Sequence, residues 1–192
     1  MWGVTSAVPN ALTLARIVAV PAVIVLLLLD DGADGAARWW AVGLFMAASA
    51  TDYLDGYLAR KWGVVSAFGK LADPIADKAL VLGTLLTLVI VDGLPWWPLL
   101  IIGAREIWVT VGRLLVASGT VIAASPGGKA KTFAQLLALW LYLLPGMPGW
   151  VDTTAWWVLM AATALALVTG IDYTVKILRA ARAQRGSGRA AA

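Results

Sequence analysis

Four aspartates lie inside stretches of the chain that are otherwise apolar. Asp52 and Asp55 are spaced i, i+3, and Asp73 and Asp77 are spaced i, i+4, so each pair occupies one face of a helix. A carboxylate at the centre of a bilayer costs about 2.5 to 3.5 kcal/mol, so the four together need a compensating partner. Divalent metal ions are the obvious partner, and ligands made only of oxygen favour Mg²⁺ or Mn²⁺ over zinc.

The sequence contains no cysteine and no histidine. Within it, thiolate nucleophiles, disulfides, Cys/His zinc sites and imidazole acid–base chemistry are therefore excluded. Any catalysis must use carboxylates, hydroxyls, Lys and Arg.

The elements that position the aspartates are predicted to be membrane-spanning helices. Of the 192 residues, 61% are hydrophobic and 14% are charged, and the mean hydropathy is +0.83, as in a polytopic all-α membrane protein. No small-residue cleavage site follows the first apolar run, which is therefore predicted to be a span rather than a signal peptide. Six spans, each of roughly the ~20 residues that cross a bilayer, are predicted at 12–29, 39–58, 71–91, 95–116, 130–144 and 154–178.

The distribution of basic residues predicts the orientation. With the N-terminus in the cytoplasm, all of the 15 Lys and Arg residues except Arg38 lie at or near the inner side. Tryptophan doublets mark the outer boundary, as in an aromatic belt: Trp39/Trp40, Trp96/Trp97 and Trp156/Trp157. The chain is thus expected to be a multi-pass protein of the cell membrane, with both termini in the cytoplasm.

One membrane domain is predicted at 1–180, followed by a basic, flexible cytoplasmic tail at 181–192. The net charge of +4 indicates contact with anionic lipid, because the stacking aromatics of a nucleic-acid binder are absent. Around the start of the first span, Asn10, Thr13 and Arg16 are predicted to form an interfacial segment over the site, although capping and snorkelling explain them nearly as well.

The two aspartate pairs are predicted to lie at one depth. The second span runs inward and ends at Arg60, and the third runs outward from near Gly69, so both pairs fall up to ~12 Å below the inner boundary. Antiparallel helices joined by a short loop can bring the two faces together.

Written out, the segment is Asp52-x2-Asp55-Gly56-x2-Ala59-Arg60-x8-Gly69-x3-Asp73-x3-Asp77. It resembles the signature of the CDP-alcohol phosphotransferase family, with every position matched. The stretch from Asp73 to Lys78 is typical of family members that make phosphatidylglycerophosphate. Similarity extends to Val8–Arg16, Arg105-Glu106, Gly128–Thr132 and Asp172-Tyr173.

The resemblance implies transfer of a phosphatidyl group from CDP-diacylglycerol to glycerol 3-phosphate, with release of CMP. It implies that Asp52, Asp55 and Asp73 bind two divalent cations, and that Asp77 adds a ligand and acts as the base. Two such cations can clamp a diphosphate for in-line displacement. The residues implied to bind the nucleotide are Asp52, Gly56, Ala59, Arg60 and Gly69. For the three small residues, close helix packing is the alternative.

The acceptor's phosphate is predicted to bind basic residues at the inner ends of the fourth and fifth spans. These residues are Arg105, Arg113, Lys129 and Lys131. The alternative is that they anchor the helices at the boundary, with Arg105 paired to Glu106. Asp172 either serves the site or pairs with Lys176 at i+4.

Other functions stay open at this stage. Within the family, the acceptor could instead be inositol phosphate, phosphatidylglycerol or serine. A divalent-cation transporter is the remote alternative, although such a site would more naturally lie at the midplane between inverted repeats. The expected partners are the two substrates and membrane lipids, and the oligomeric state is open, a homodimer included.

Overall fold

The computed structural model describes the backbone at residues 2–62, 67–116 and 126–190, and the side chains at 14–51, 75–112 and 127–179. Over these ranges all of the regular secondary structure is helical, which confirms the predicted all-α class. The helices are α1 (Trp2–Asp30), α2 (Ala36–Trp62), α3 (Ala67–Val91), α4 (Trp97–Val116), α5 (Pro126–Leu143) and α6 (Gly149–Ala190).

The ends of three helices differ from the predicted spans. Helix α1 is continuous from Trp2, so the segment predicted to be interfacial and the first span form one element. Helix α5 begins at Pro126, because proline suits the first turn, where its missing N–H is not needed. Helix α6 continues to Ala190, so the backbone of the predicted tail is helical up to that residue.

Tight turns follow α1, α3 and α5, and Gly32, Gly93 and Gly146 have positive φ there. After α3, Gly93 has a φ of 69°, and the N–H of Leu94 donates to the carbonyl oxygen of Leu88 at 3.4 Å. The hydrogen bond satisfies a carbonyl at the helix end, and glycine adopts the left-handed conformation without a steric penalty. These three turns reverse the chain between α1 and α2, between α3 and α4, and between α5 and α6.

Helix α1 lies at the centre of the first half of the bundle. It packs most extensively on α2 and also on α3, whereas the contacts described between α2 and α3 are few. A Cβ on Gly83 of α3 would approach the side chain of Ile24 to 2.9 Å, so glycine allows this close contact with α1. In the second half, α6 packs on α4 and α5, and α5 also contacts α2 and α3.

The described core lies towards the end where α1, α3 and α5 finish and α2 begins. Its fully buried side chains interlock in the manner of a helical bundle, and they include Val23, Leu27, Phe45, Leu85, Leu88, Leu139 and Leu143.

Large apolar side chains also face outward on the helices. Leu29, Ile90 and Ile171 are among many that are exposed. Because water would penalise this much apolar surface, a lipid environment is the natural one. By length and composition, one segment of the described chain qualifies as a membrane span, Gly149–Arg179, with a mean hydropathy of 1.7.

A buried ion cluster, here called the outer clasp, joins four helices around Arg38, which is only 4% exposed. Its guanidinium makes two hydrogen bonds to Asp92 and lies 3.8 Å from Asp30 and 3.5 Å from Asp34. It also donates to the carbonyl oxygens of Tyr142 at 2.8 Å and Leu143 at 3.3 Å. The clasp therefore ties the end of α1, the start of α2, the end of α3 and the end of α5.

The clasp gives a structural reason for Arg38, the one basic residue that falls outside the predicted inner-side distribution. The hydrogen bond to Asp92 raises the pKa of the guanidinium and outweighs the opposing effect of burial. The carboxylates of the clasp face a permanent positive charge, so Arg38 holds the ends of the helices rather than marking an inner boundary.

We expect Arg38→Gln to lower the free energy of unfolding by about 3 to 5 kcal/mol, because it strands buried carboxylates. Unfolding of the purified protein in detergent measures the effect. Asp172→Asn is a matched control, since it breaks the Lys176–Asp172 pair, whose side chains are 45% and 46% exposed, and should cost at most about 0.5 kcal/mol. Equal small losses for the two variants would contradict a structural role for the clasp.

Candidate functional site

The residues predicted to bind the metal ions and the nucleotide lie on two helices, at the end of the bundle opposite the outer clasp. Asp52, Asp55, Gly56, Ala59 and Arg60 belong to the last part of α2, and Gly69, Asp73 and Asp77 to the first part of α3. Among them, the side-chain description covers Asp77 alone. The predictions for the other seven, and for Arg113, fall outside the described side chains.

Asp77 is held by an arginine from α1. Its Oδ1 accepts a hydrogen bond from Nη1 of Arg16 at 3.1 Å, while Nε of Arg16 donates to the carbonyl oxygen of Ala48 in α2 at 3.4 Å. The Arg16 side chain is fully buried, whereas that of Asp77 is 43% exposed. Arg16 thus joins α1, α2 and α3, and the carboxylate it orients stays open to a ligand.

The contact of Arg16 with Asp77 was not predicted from the sequence. Capping or snorkelling would leave it near the surface, yet it is buried. A signal for this was present, because Arg16 shares the helical stripe of Ala19, Val23 and Leu27, all of which are buried. A charge on the buried face of a helix implies a partner on a neighbouring helix.

A polar link connects α3 to α4 one residue after Asp77. Nζ of Lys78 donates to Oγ1 of Thr110, and that hydroxyl donates to the carbonyl oxygen of Glu106 at 2.7 Å. The neighbourhood of Asp77 is therefore connected through hydrogen bonds to the turn of α4 that contains Glu106.

A buried group of charges, here called the cation cluster, joins α4 and α5 and consists of Arg105, Glu106 and Lys131. Oε1 of Glu106 accepts hydrogen bonds from Nη1 of Arg105 at 2.9 Å and from Nζ of Lys131. The three side chains are 10%, 13% and 4% exposed respectively. The pairing of Arg105 with Glu106, foreseen as an alternative, is thus present, and Glu106 also binds Lys131.

Helix α6 supports the cation cluster. Nη2 of Arg105 donates to Oγ1 of Thr169 at 3.2 Å, and the guanidinium lies 5.5 Å from the centre of the Tyr173 ring. This distance suits a cation–π contact. Asp172 points elsewhere and binds Lys176 at 2.6 Å, which is the second of its two predicted roles.

The predicted acceptor residues divide into two groups. Arg105 and Lys131 come together at Glu106, whereas Lys129 is exposed. Glu106 was predicted only as a pairing alternative for Arg105, and its contact with Lys131 joins residues far apart in sequence. The adjacency of Arg105 and Glu106 in sequence gave no sign that α5 supplies the second cation.

The predicted metal ligands remain a prediction. Among the described side chains, no group of three or more carboxylates is arranged to hold a metal ion. Asp77, the one predicted ligand in that set, has the oxygen donors and the accessibility that a hard cation needs.

A double-mutant cycle tests the contact between Arg16 and Asp77. We expect Arg16→Gln and Asp77→Asn each to lower the unfolding midpoint in detergent, and the double variant to lose less than the sum. Residues in direct contact usually show a coupling of about 0.5 to 3 kcal/mol. Additive losses would mean that the two side chains do not interact in solution.

Comparison with known proteins extends the similarity to nearly the whole chain. A family model described as CDP-alcohol phosphatidyltransferase matches residues 6–169. A "Probable phosphatidylglycerophosphate synthase" of Mycobacterium tuberculosis (strain ATCC 25618 / H37Rv) is 44% identical over 170 residues, covering 88% of this chain and 81% of the relative.

Two further relatives are named for two different reactions. The "CDP-diacylglycerol--glycerol-3-phosphate 3-phosphatidyltransferase" of Bacillus subtilis (strain 168) is 38% identical over 184 residues, covering 88% of this chain and 93% of the relative. A "Cardiolipin synthase (CMP-forming)" of Streptomyces coelicolor is 35% identical over 182 residues, covering 92% and 85%. Together with the fully matched aspartate motif, these similarities establish that the chain belongs to the CDP-alcohol phosphatidyltransferase family.

Proposed function

We propose that the chain is a phosphatidylglycerophosphate synthase, which transfers the phosphatidyl group of CDP-diacylglycerol to glycerol 3-phosphate and releases CMP. The observation that carries the proposal is the similarity over most of the chain to relatives named for this reaction, at 38% to 44% identity. The aspartate motif supports it, because that motif serves the CDP-linked donor.

A second candidate keeps the donor and changes the acceptor. The relative from Streptomyces coelicolor, at 35% identity, is named for the formation of cardiolipin, for which phosphatidylglycerol is the acceptor. We favour glycerol 3-phosphate because the relatives at higher identity are named for it. A further reason is that the cation cluster lies beside the link to Asp77.

Asp52, Asp55, Asp73 and Asp77 would hold two divalent cations, Mg²⁺ or Mn²⁺. The donor set fits, because it is made of carboxylates alone and Asp77 remains accessible while Arg16 fixes its orientation. When bound, the cations would neutralise the diphosphate of the donor and stabilise the attacking and leaving oxygens.

Asp77 would take the proton from the acceptor hydroxyl as its oxygen attacks the phosphorus of the phosphatidyl group. The bond from that phosphorus to the oxygen of CMP breaks, and CMP leaves with the bonding electrons. Small residues at Gly56, Ala59 and Gly69 would leave room for the cytidine, while Arg60 would bind its phosphate.

The acceptor phosphate would bind at the cation cluster. Arg105 and Lys131 are buried there with excess positive charge, which favours an anionic group. Arg113 and the exposed Lys129 complete the set that we assign to this phosphate. In support, Arg105 and Lys131 meet at Glu106, one turn of α4 before Thr110, which binds Lys78 next to Asp77 in the chain.

We propose six membrane spans with both termini and the active site at the cytoplasmic face. In support, the helices alternate in direction between the outer clasp and the site, and tryptophans such as Trp40, Trp96 and Trp157 are exposed near the clasp end. The membrane domain at 1–180 would end in a basic cytoplasmic tail at 181–192, and a homodimer is compatible with the exposed apolar faces.

The central experiment measures release of CMP from CDP-diacylglycerol by purified protein, with glycerol 3-phosphate, phosphatidylglycerol, inositol phosphate and serine as separate acceptors. We expect turnover with glycerol 3-phosphate, dependence on Mg²⁺ or Mn²⁺, and loss of activity with a chelator. Asp77→Asn should lower the rate by about 10²- to 10⁴-fold, as loss of a general base does. Preference for phosphatidylglycerol would replace the proposal by cardiolipin formation, and more than half the rate in Asp77→Asn would refute the role of Asp77.

Orientation can be tested with single cysteines, because the chain contains none. We expect Asp152→Cys to react with a membrane-impermeant thiol reagent in whole cells. Ser66→Cys, in the connection between α2 and α3, should react only after the cells are permeabilised. The reverse pattern would invert the topology.

A further inference from the structure

The charges of the cation cluster do not balance. Arg105 and Lys131 contribute two positive charges and Glu106 one negative charge, and both cations donate to the same oxygen, Oε1. All three side chains are nearly buried. Because an uncompensated charge away from water is costly, the cluster favours a further anion.

The guanidinium of Arg105 shows where that anion would bind. Nη1 is taken by Glu106, Nη2 makes one hydrogen bond to Thr169, and one face is covered by the Tyr173 ring. Nε is buried and has no hydrogen-bond partner. A buried donor without an acceptor calls for an explanation, and an oxygen of a ligand is one.

The Nε side of the Arg105 guanidinium has the geometry for two parallel hydrogen bonds. Nε and Nη2 form one edge of the guanidinium, and such an edge can donate to two oxygens of a phosphate at once. Glu106 binds the end of the guanidinium at Nη1 and so leaves this edge available.

We propose that Glu106 and Tyr173 are positioning residues that fix the Nε edge of Arg105, with Lys131 beside it, to receive the phosphate monoester of the acceptor. This inference rests on the proposed function, because it assigns a location to the acceptor's phosphate. Glu106 holds both cations by one oxygen, and Tyr173 keeps the guanidinium plane from turning.

Glu106→Gln is the sharpest variant, since it keeps the shape and an acceptor oxygen but removes the charge that strengthens both hydrogen bonds. The loss of orientation at Arg105 and Lys131 is expected to outweigh the added net positive charge. Charged hydrogen bonds are roughly twice as strong as neutral ones. We expect the KM for glycerol 3-phosphate to rise about 10-fold, while the KM for CDP-diacylglycerol stays unchanged. Asp152→Asn, an exposed acid at the far end of the bundle, is the charge-matched control and should change neither.

Inorganic phosphate serves as a probe that needs no turnover. It should inhibit competitively against glycerol 3-phosphate and raise the melting temperature of the purified protein in detergent without added lipid. Glu106→Gln should weaken both effects in the same ratio as the KM. Tyr173→Leu should do likewise, and it tests the inference if Glu106→Gln fails to fold.

These measurements distinguish a phosphate-positioning role of Glu106 from a packing role. Equal rises in both KM values, or an unchanged KM for glycerol 3-phosphate, would overturn the inference and leave Glu106 a packing residue. Stabilisation by phosphatidylglycerol micelles but not by inorganic phosphate would assign the edge to a lipid headgroup and also overturn it. If the wild type does not use glycerol 3-phosphate, yet phosphate stabilises it in a Glu106-dependent way, the proposed function fails and the inference stands.

Discussion

The structure depends on one constraint, that a charge buried among apolar helices must meet a partner from another helix. Arg16, Arg38 and Lys131 are each at most 4% exposed, and each reaches a carboxylate on a different helix. Leaving such a charge unpaired would cost several kcal/mol. Paired, each of them fixes the spacing and the rotation of the helices that it joins.

These contacts show how α1 links the two helices that carry the aspartates. Helix α1 fills the space between α2 and α3, and Arg16 extends from it to both. Lys78, the residue after Asp77 in α3, donates to Thr110 of α4, whose hydroxyl donates to the backbone carbonyl of Glu106. The helices that carry Asp77 and Glu106 are thus joined by hydrogen bonds, so their relative position is set by the fold.

Much of this could be predicted from sequence because it is local. Apolar runs predicted the helices, and fixed spacings predicted which faces of α2 and α3 hold the aspartates. The partners of Arg38 could not be predicted, because Asp92 and the carbonyl of Tyr142 are far away in the chain. The same holds for the shared oxygen of Glu106, since no periodicity encodes which helix supplies the second cation. The burial of Arg16 could be predicted in part, because its charge lies on the apolar stripe of α1.

The outer clasp also has a mechanical consequence. It pins the ends of α1, α2, α3 and α5 at one side of the bundle, so any tilt of these helices pivots there. At roughly 30 Å along a helix, a tilt of about 5° displaces its far end by about 2.6 Å. The opposite end of the bundle can therefore widen by about an atom's diameter while the pinned end stays closed.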